Sequence, residues 1–289
     1  MSLSVAILHS MISKNELKQI VKNRHDFGLQ PGAILRGTDL SNLDLRNTDL
    51  SRVNLSSADL TAANLKGSDL SSANLEKVEL FETILSDVIL FDSKLCDVDL
   101  TNTVVSNADF TKANLSHANL SGLNLQDAIF KGADLSFANL SESCLLDADL
   151  EGANLVQAQL YRVNAHAVEL KSANLKRAEL ARASLALACF LNANLEHANL
   201  QDAFLVDANL KGSNLFSASL RGANLESANL KGANLKHADL SRAILSAATL
   251  DGAKMTGLTG RPDSLPSGYI CEDDVPYGPE DRRYRIVPE

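Results

Sequence analysis

The sequence predicts an all-β solenoid: a chain that turns a corner every five residues and stacks its coils into a rod. Three observations carry this. From Leu35 to Met255 every fifth residue is apolar, 45 positions without a slip, and 39 of them are Leu. All ten glycines between Leu35 and Gly257 stand two residues after such a position. All six prolines fall outside the periodic region.

The period itself excludes the commoner elements. On an α-helix five residues advance about 500°, so successive leucines would visit every side of the helix. On a flat strand an odd spacing turns each leucine to the opposite face. A coil with a corner in every unit keeps all of them pointing to one axis. Glycine two residues past the leucine suits a tight turn that needs a positive φ. Proline is excluded because it would delete a hydrogen bond between stacked strands.

The residue two before each leucine is a second inward site, where Ala fills 29 of 45 positions. Between the two inward sites stands Asn or Asp, whose side chain is expected to serve the turn and not a cation. Phe110, Phe130 and Phe190 replace Leu at three of the central positions. Ala165 is the weak point, and its larger neighbours Val163 and Val168 are expected to fill part of the gap.

The resulting unit, A-(N/D)-L-x-x, resembles that of the pentapeptide-repeat proteins. The resemblance covers about three quarters of the chain. It implies a right-handed quadrilateral parallel β-helix of about eleven coils of four units each, roughly 50 Å long at the inter-strand spacing of stacked chains, with Phe110, Phe130 and Phe190 on one interior column. Three segments are expected: an N-terminal segment 1–32 with a capping helix, the β-helix over 33–258, and a proline-rich irregular tail over 259–289. The capping helix rests on Ser13 and Glu16, spaced as a capping box, and on Leu17, Ile20 and Val21 on one face. Both end segments are expected to cover the open edges of the solenoid.

Composition narrows function. Aromatic residues make up only 4% of the chain and Trp is absent, so Leu and Ala supply the core. No apolar run is long enough for a transmembrane helix. Four scattered cysteines without a CxxC pair suit a reducing compartment, and a cytoplasmic location is expected. An effector delivered into a host cell by a signal-less route fits the same features.

Catalytic constellations are poor. Cys96 and His117 would lie one coil apart on one side, without an orienting third group or a cleft. His117, His197 and His237 share a column, but at two- and four-coil intervals they are too distant to share an ion. No enzyme activity, metal or cofactor is expected.

Charge is graded along the rod. Residues 35–110 carry 6 basic and 13 acidic side chains, net −7; residues 111–170 carry 3 and 7, net −4; residues 171–258 carry 10 and 7, net +3. Lys131, Lys171, Lys211 and Lys231 share an outward column, as do Asp87, Asp127, Asp147 and Asp207. With a net charge of −9, direct nucleic-acid binding is disfavoured.

The most informative departure is the stretch 78–95, VELFETILSDVILFDSKL. Its leucines are in place, yet none of its second inward sites is Ala, and apolar residues occupy outward sites. Phe81, Ile84, Ile89, Phe91 and Val104, beside Asp87, Asp92 and Glu82, form a candidate protein-binding patch on a fold whose interior is expected to be uninterrupted.

The expected function is a non-catalytic protein-interaction scaffold or regulator, as a monomer or an end-to-end dimer. The resemblance implies a second reading, since some pentapeptide-repeat proteins are acidic rods that mimic DNA and protect gyrase. The positive C-terminal half and the polar tail depart from that pattern.

Overall fold

The computed structural model describes residues 31–273 and 283–289. The capping helix expected around Ser13–Val21 lies outside them.

Residue i bridges residue i+20 in parallel, from Ile34↔Asn54 to Ile244↔Ser264, with bridges every five residues along the chain except at two rungs. Twenty residues therefore complete a coil with four faces. The bridging residue is the Asn/Asp position; the Leu after it and the small residue before it point inward. Each face is identified by its rungs: Ile34, Asn54, Asn74, Lys94 on the first; Asp39, Asp59, Glu79, Asp99 on the second; Asp44, Asn64, Ile84, Val104 on the third; Asp49, Asp69, Ile89, Asp109 on the fourth. Each regular rung comprises two bonds, as where Leu195 N–H donates to Asn214 O at 2.7 Å and Asn214 N–H donates to Ala193 O at 2.9 Å. A face is one rung wide, so the fold is held by stacking and not by extended strands.

The core is a column of fully buried leucines and alanines running the length of the rod. Each Leu contributes about 1.5–3 kcal/mol before chain entropy is subtracted. Phe110 and Phe130 stack with centroids 4.8 Å apart and an interplanar angle of 2°. That separation is the coil spacing itself, so the column dictates the stack. Phe190 and Ala165 are buried on their columns, with Val163 and Val168 fully buried on either side of Ala165.

The corners differ from expectation in an instructive way. Nearly every residue two past the central position has φ between about 53° and 78°, whether or not it is glycine. Arg52, Lys77, Phe137 and Leu187 all adopt this left-handed conformation, at a cost of about 1–2 kcal/mol each. The rungs on either side hold them there. Positive φ thus does not decide where glycine stands. At Gly222 a Cβ would collide with Asp202 Oδ1, and at Gly212 one would lie 2.5 Å from Asn192 Oδ1. Glycine at these corners leaves room for the side chain one coil earlier.

The Asx side chains serve the turns. Asp59 Oδ1 accepts from Thr61 N–H at 2.8 Å and Asn54 Oδ1 from Ser56 N–H at 3.0 Å, a pattern repeated along the rod. At Asp49 the hydroxyl and amide of Ser51 hold the carboxyl below its ordinary value. On the first face the amides also form a chain between coils. Asn194 Nδ2 donates to Asn174 Oδ1 at 3.1 Å, Asn214 to Asn194 at 3.2 Å, and Asn234 to Asn214 at 2.9 Å.

The C-terminal segment corrects the sequence reading twice. The solenoid ladder runs past 258, through Asp239↔Thr259 and Ile244↔Ser264. The segment after it is not irregular: β1 (Tyr269–Asp273) pairs antiparallel with β2 (Tyr284–Pro288). Tyr284 bridges Leu258, Ile286 is buried, and Leu265, Tyr269 and Tyr284 pack against the core. These short β-prone stretches lie among prolines, and their apolar side chains cover the last coil.

Candidate interaction surface

The stretch 78–95 keeps its interior, as the sequence implies: Val78, Thr83, Val88 and Ser93 are all buried inward residues. The hydroxyls at this level are satisfied within the core. Thr83 Oγ1 donates to Leu60 O at 2.8 Å, Ser93 Oγ to Leu90 O at 2.6 Å, and Thr103 Oγ1 to Leu100 O at 2.6 Å.

The ladder nevertheless opens beside it, which corrects the expectation of an uninterrupted fold. Between Ile34 and Ser264 two bridges are missing: Glu79 to Asp99 on the second face and Val104 to Asn124 on the third. Their neighbours Ile84↔Val104 and Asp99↔Asn119 are intact. The segment 99–104 therefore slants across the gap between coils. It pairs only with the following coil before the corner, and only with the preceding coil after it.

The corner residue Asn102 carries the change. Of the residues at that turn position from Gly32 to Gly257, it alone stays out of the left-handed region. Its Nδ2 donates to Thr101 Oγ1 at 3.2 Å. Its carbonyl, in place of that of Thr101, accepts from Glu82 N–H at 3.0 Å. Asn is among the residues that tolerate positive φ best, so residue type gives no hint of the exception.

The displaced corner leaves backbone groups unpaired. The N–H groups of Lys77, Leu80 and Asp99, and those of Val105 and Asn124, have no hydrogen-bond partner among the described residues. A cleft of about 260 Å³ opens there, lined by Thr61, Val78, Glu79, Leu80, Phe81, Asp99, Thr101 and Asn102. Phe81 stands at its lip, 54% exposed, and Val104 beyond the corner is 51% exposed.

The expected patch divides in two. Phe81 stands at the corner between the second and third faces, and Ile84 and Val104 are bridged partners on the third face. Ile89 belongs to the fourth face, and Phe91 and Asp92 to the corner between the fourth and first. Ten residues are half a coil, so Phe81 and Phe91 occupy diagonal corners and cannot meet one flat partner together. Lys112 Nζ lies 5.4 Å from the Phe91 ring centroid, and Asp92 accepts from Ser72 Oγ at 3.3 Å. Asp87, at the corner joining the third and fourth faces, lies 3.5 Å from Lys66 Nζ and accepts from Asn107 Nδ2 at 3.1 Å. At this level apolar exposure is thus greatest at Phe81 and Val104, with Ile84 half-buried beside them.

Acidic rungs run alongside. Asp39, Asp59, Glu79 and Asp99 occupy successive positions on the second face, up to and including the cleft. The basic column is less available than its spacing suggests. Glu151 stands between Lys131 and Lys171, at 4.0 and 2.8 Å, and Lys131 also reaches Asp149 at 2.9 Å.

The residues weighed for chemistry do not come together. Cys96 lies 3.9 Å from Glu76 Oε1; burial, then Glu76 and Asp97, push its thiol up and keep it protonated. His117 stacks on Phe137 with centroids 4.8 Å apart. Among the described residues no group of three His, Cys, Asp or Glu side chains is placed to hold a metal ion. None of their helices is long and apolar enough to cross a membrane.

Comparison with known proteins agrees with this architecture. The family model for pentapeptide repeats matches in eight copies spanning residues 32–257. A similar solved structure is HetL, a pentapeptide repeat protein involved in heterocyst differentiation regulation, from the cyanobacterium Nostoc sp. strain PCC 7120. It is 32% identical with a TM-score of 0.54, over 77% of this chain and 94% of HetL. QnrB1, a plasmid-mediated fluoroquinolone resistance protein, in a trypsin-treated form, is 21% identical with a TM-score of 0.46, over 58% of this chain and 84% of its own. No curated protein sequence matched. The repeat unit, the four-faced ladder, the family model and the likeness to HetL agree, and the chain belongs to the pentapeptide-repeat family, with its right-handed quadrilateral β-helix.

Proposed function

We propose that the protein is a non-catalytic scaffold that binds another protein through the surface around Phe81, Ile84 and Val104. The observation that carries this reading is a coincidence of place. The apolar residues cluster at the corner where the hydrogen-bonded ladder opens, beside acidic rungs. Aromatic and aliphatic groups rimmed by charge are the usual anatomy of a contact surface. HetL, described as involved in regulation of differentiation, supports a regulatory role for such a rod.

The test compares proteins captured by the wild type, by Phe81→Ser/Val104→Ser and by Phe91→Ser. At least one captured protein is expected to be lost with the first variant and kept with the second, because Phe91 stands at the diagonal corner. Identical sets from all three proteins would overturn the reading.

The acidic rungs of the second face favour a second possibility, a DNA-mimicking modulator of a type II topoisomerase. An absence of both inhibition and quinolone protection in a gyrase supercoiling assay would remove it.

A further inference from the structure

We propose that the opened corner accepts an extended, basic segment of the partner protein, whose backbone pairs with the unpaired groups of Leu80 and Asp99. This rests on the scaffold reading above and names the chemistry of the partner. Three features define the occupant.

The first is the unmet hydrogen bonding. Elsewhere a rung is closed by the adjacent coil, as where Leu75 N–H donates to Lys94 O at 2.9 Å. Across the break Leu80 N–H and Asp99 N–H have no such acceptor, and the carbonyl groups of Val78 and Asp99 have no such donor. Main-chain donors and acceptors at a sheet edge are matched by an extended chain. A small rigid ligand has no reason to repeat that pattern.

The second is shape and polarity. The cleft of about 260 Å³ is lined by Val78 and Leu80, with Phe81 at the lip, and suits one apolar side chain of the bound segment. The third is charge. Glu79 and Asp99 line the cleft itself, Asp39 and Asp59 continue the acidic face below them, and residues 35–110 carry a net −7. Side chains alternate along an extended segment. An apolar residue directed into the cleft is thus flanked by residues directed toward the carboxylates, where Lys or Arg is favoured. An acidic or helical segment would meet like charge or leave the rung open.

The test uses the full-length protein and fluorescein-labelled eight-residue peptides. One alternates Lys and Val, one replaces Lys with Glu, and one carries the Lys–Val sequence with alternate amides N-methylated. The Lys–Val peptide is expected to bind, at least tenfold more weakly to Phe81→Ser, and more weakly as salt is raised. The other two are expected not to bind. Amide hydrogen exchange at Leu80 and Asp99 is expected to be fast in the free protein, compared with the paired amides of Leu75 and Asp109, and slowed by the Lys–Val peptide.

Equal binding of the N-methylated peptide, or no protection at Leu80 and Asp99, would overturn the inference. So would protection that rises with protein concentration alone, which would place a second copy in the cleft. If Phe81→Ser/Val104→Ser loses a captured protein while the Lys–Val peptide leaves both amides unprotected, the scaffold reading stands and the extended-segment inference falls.

Discussion

Phe130→Ala is expected to destabilise the protein by about 3–5 kcal/mol, the usual cost of truncating a buried aromatic residue. Phe130 is fully buried and stacks on Phe110 one coil earlier. In a solenoid each coil touches only its neighbours, so the void is not shared with a wider core. Leu, by contrast, already serves 39 of the 45 central positions, and Phe130→Leu is expected to cost under about 1.5 kcal/mol. Urea denaturation followed by circular dichroism separates the two. A Phe130→Ala variant within about 1 kcal/mol of wild type would mean that the coils collapse around the gap. The interior would then be far more compliant than its stacked columns imply.

The second large effect concerns the ladder and contrasts two prolines. Asn194→Pro removes the donor to Ala173 O and breaks the asparagine chain through Asn174 and Asn214. Proline inside a hydrogen-bonded element costs on the order of 3 kcal/mol, and the same order is expected here. Asp99→Pro removes an N–H that has no partner among the described residues. What it gives up is the turn bond from Thr101 N–H to Asp99 Oδ1, 3.0 Å long, worth about 1 kcal/mol. Thermal unfolding of both variants checks the difference. Equal losses would show that the Asp99 rung is closed in solution and that the corner is not open.

These two experiments probe parts of the protein that differ in how they could be read. The coil, its inward leucines and the turn role of Asn and Asp were legible because each is a local rule repeated many times. The Phe110, Phe130 and Phe190 column followed from the 20-residue coil. The β1–β2 cap was missed because Tyr269–Asp273 and Tyr284–Pro288 are short, lie among prolines, and gain their stability from the last coil.

The candidate site was only half visible. Phe81, Ile84 and Val104 break the repeat in composition and could be picked out one by one. That Phe91 stands at the opposite corner follows from the four-sided coil. The conformation of Asn102 follows from nothing in its type, because asparagine tolerates the left-handed turn that it here declines.

The sequence alone determined the period, the identity of the inward residues and the charge gradient, because each is carried by residue type at fixed spacing. The tertiary structure decided which rungs close. A rung needs two coils in register, and their registers depend on the backbone of a corner that side-chain type does not fix. The stretch 78–95 marks the place, but only the slant of residues 99–104 turns an apolar departure into a cleft with unpaired backbone.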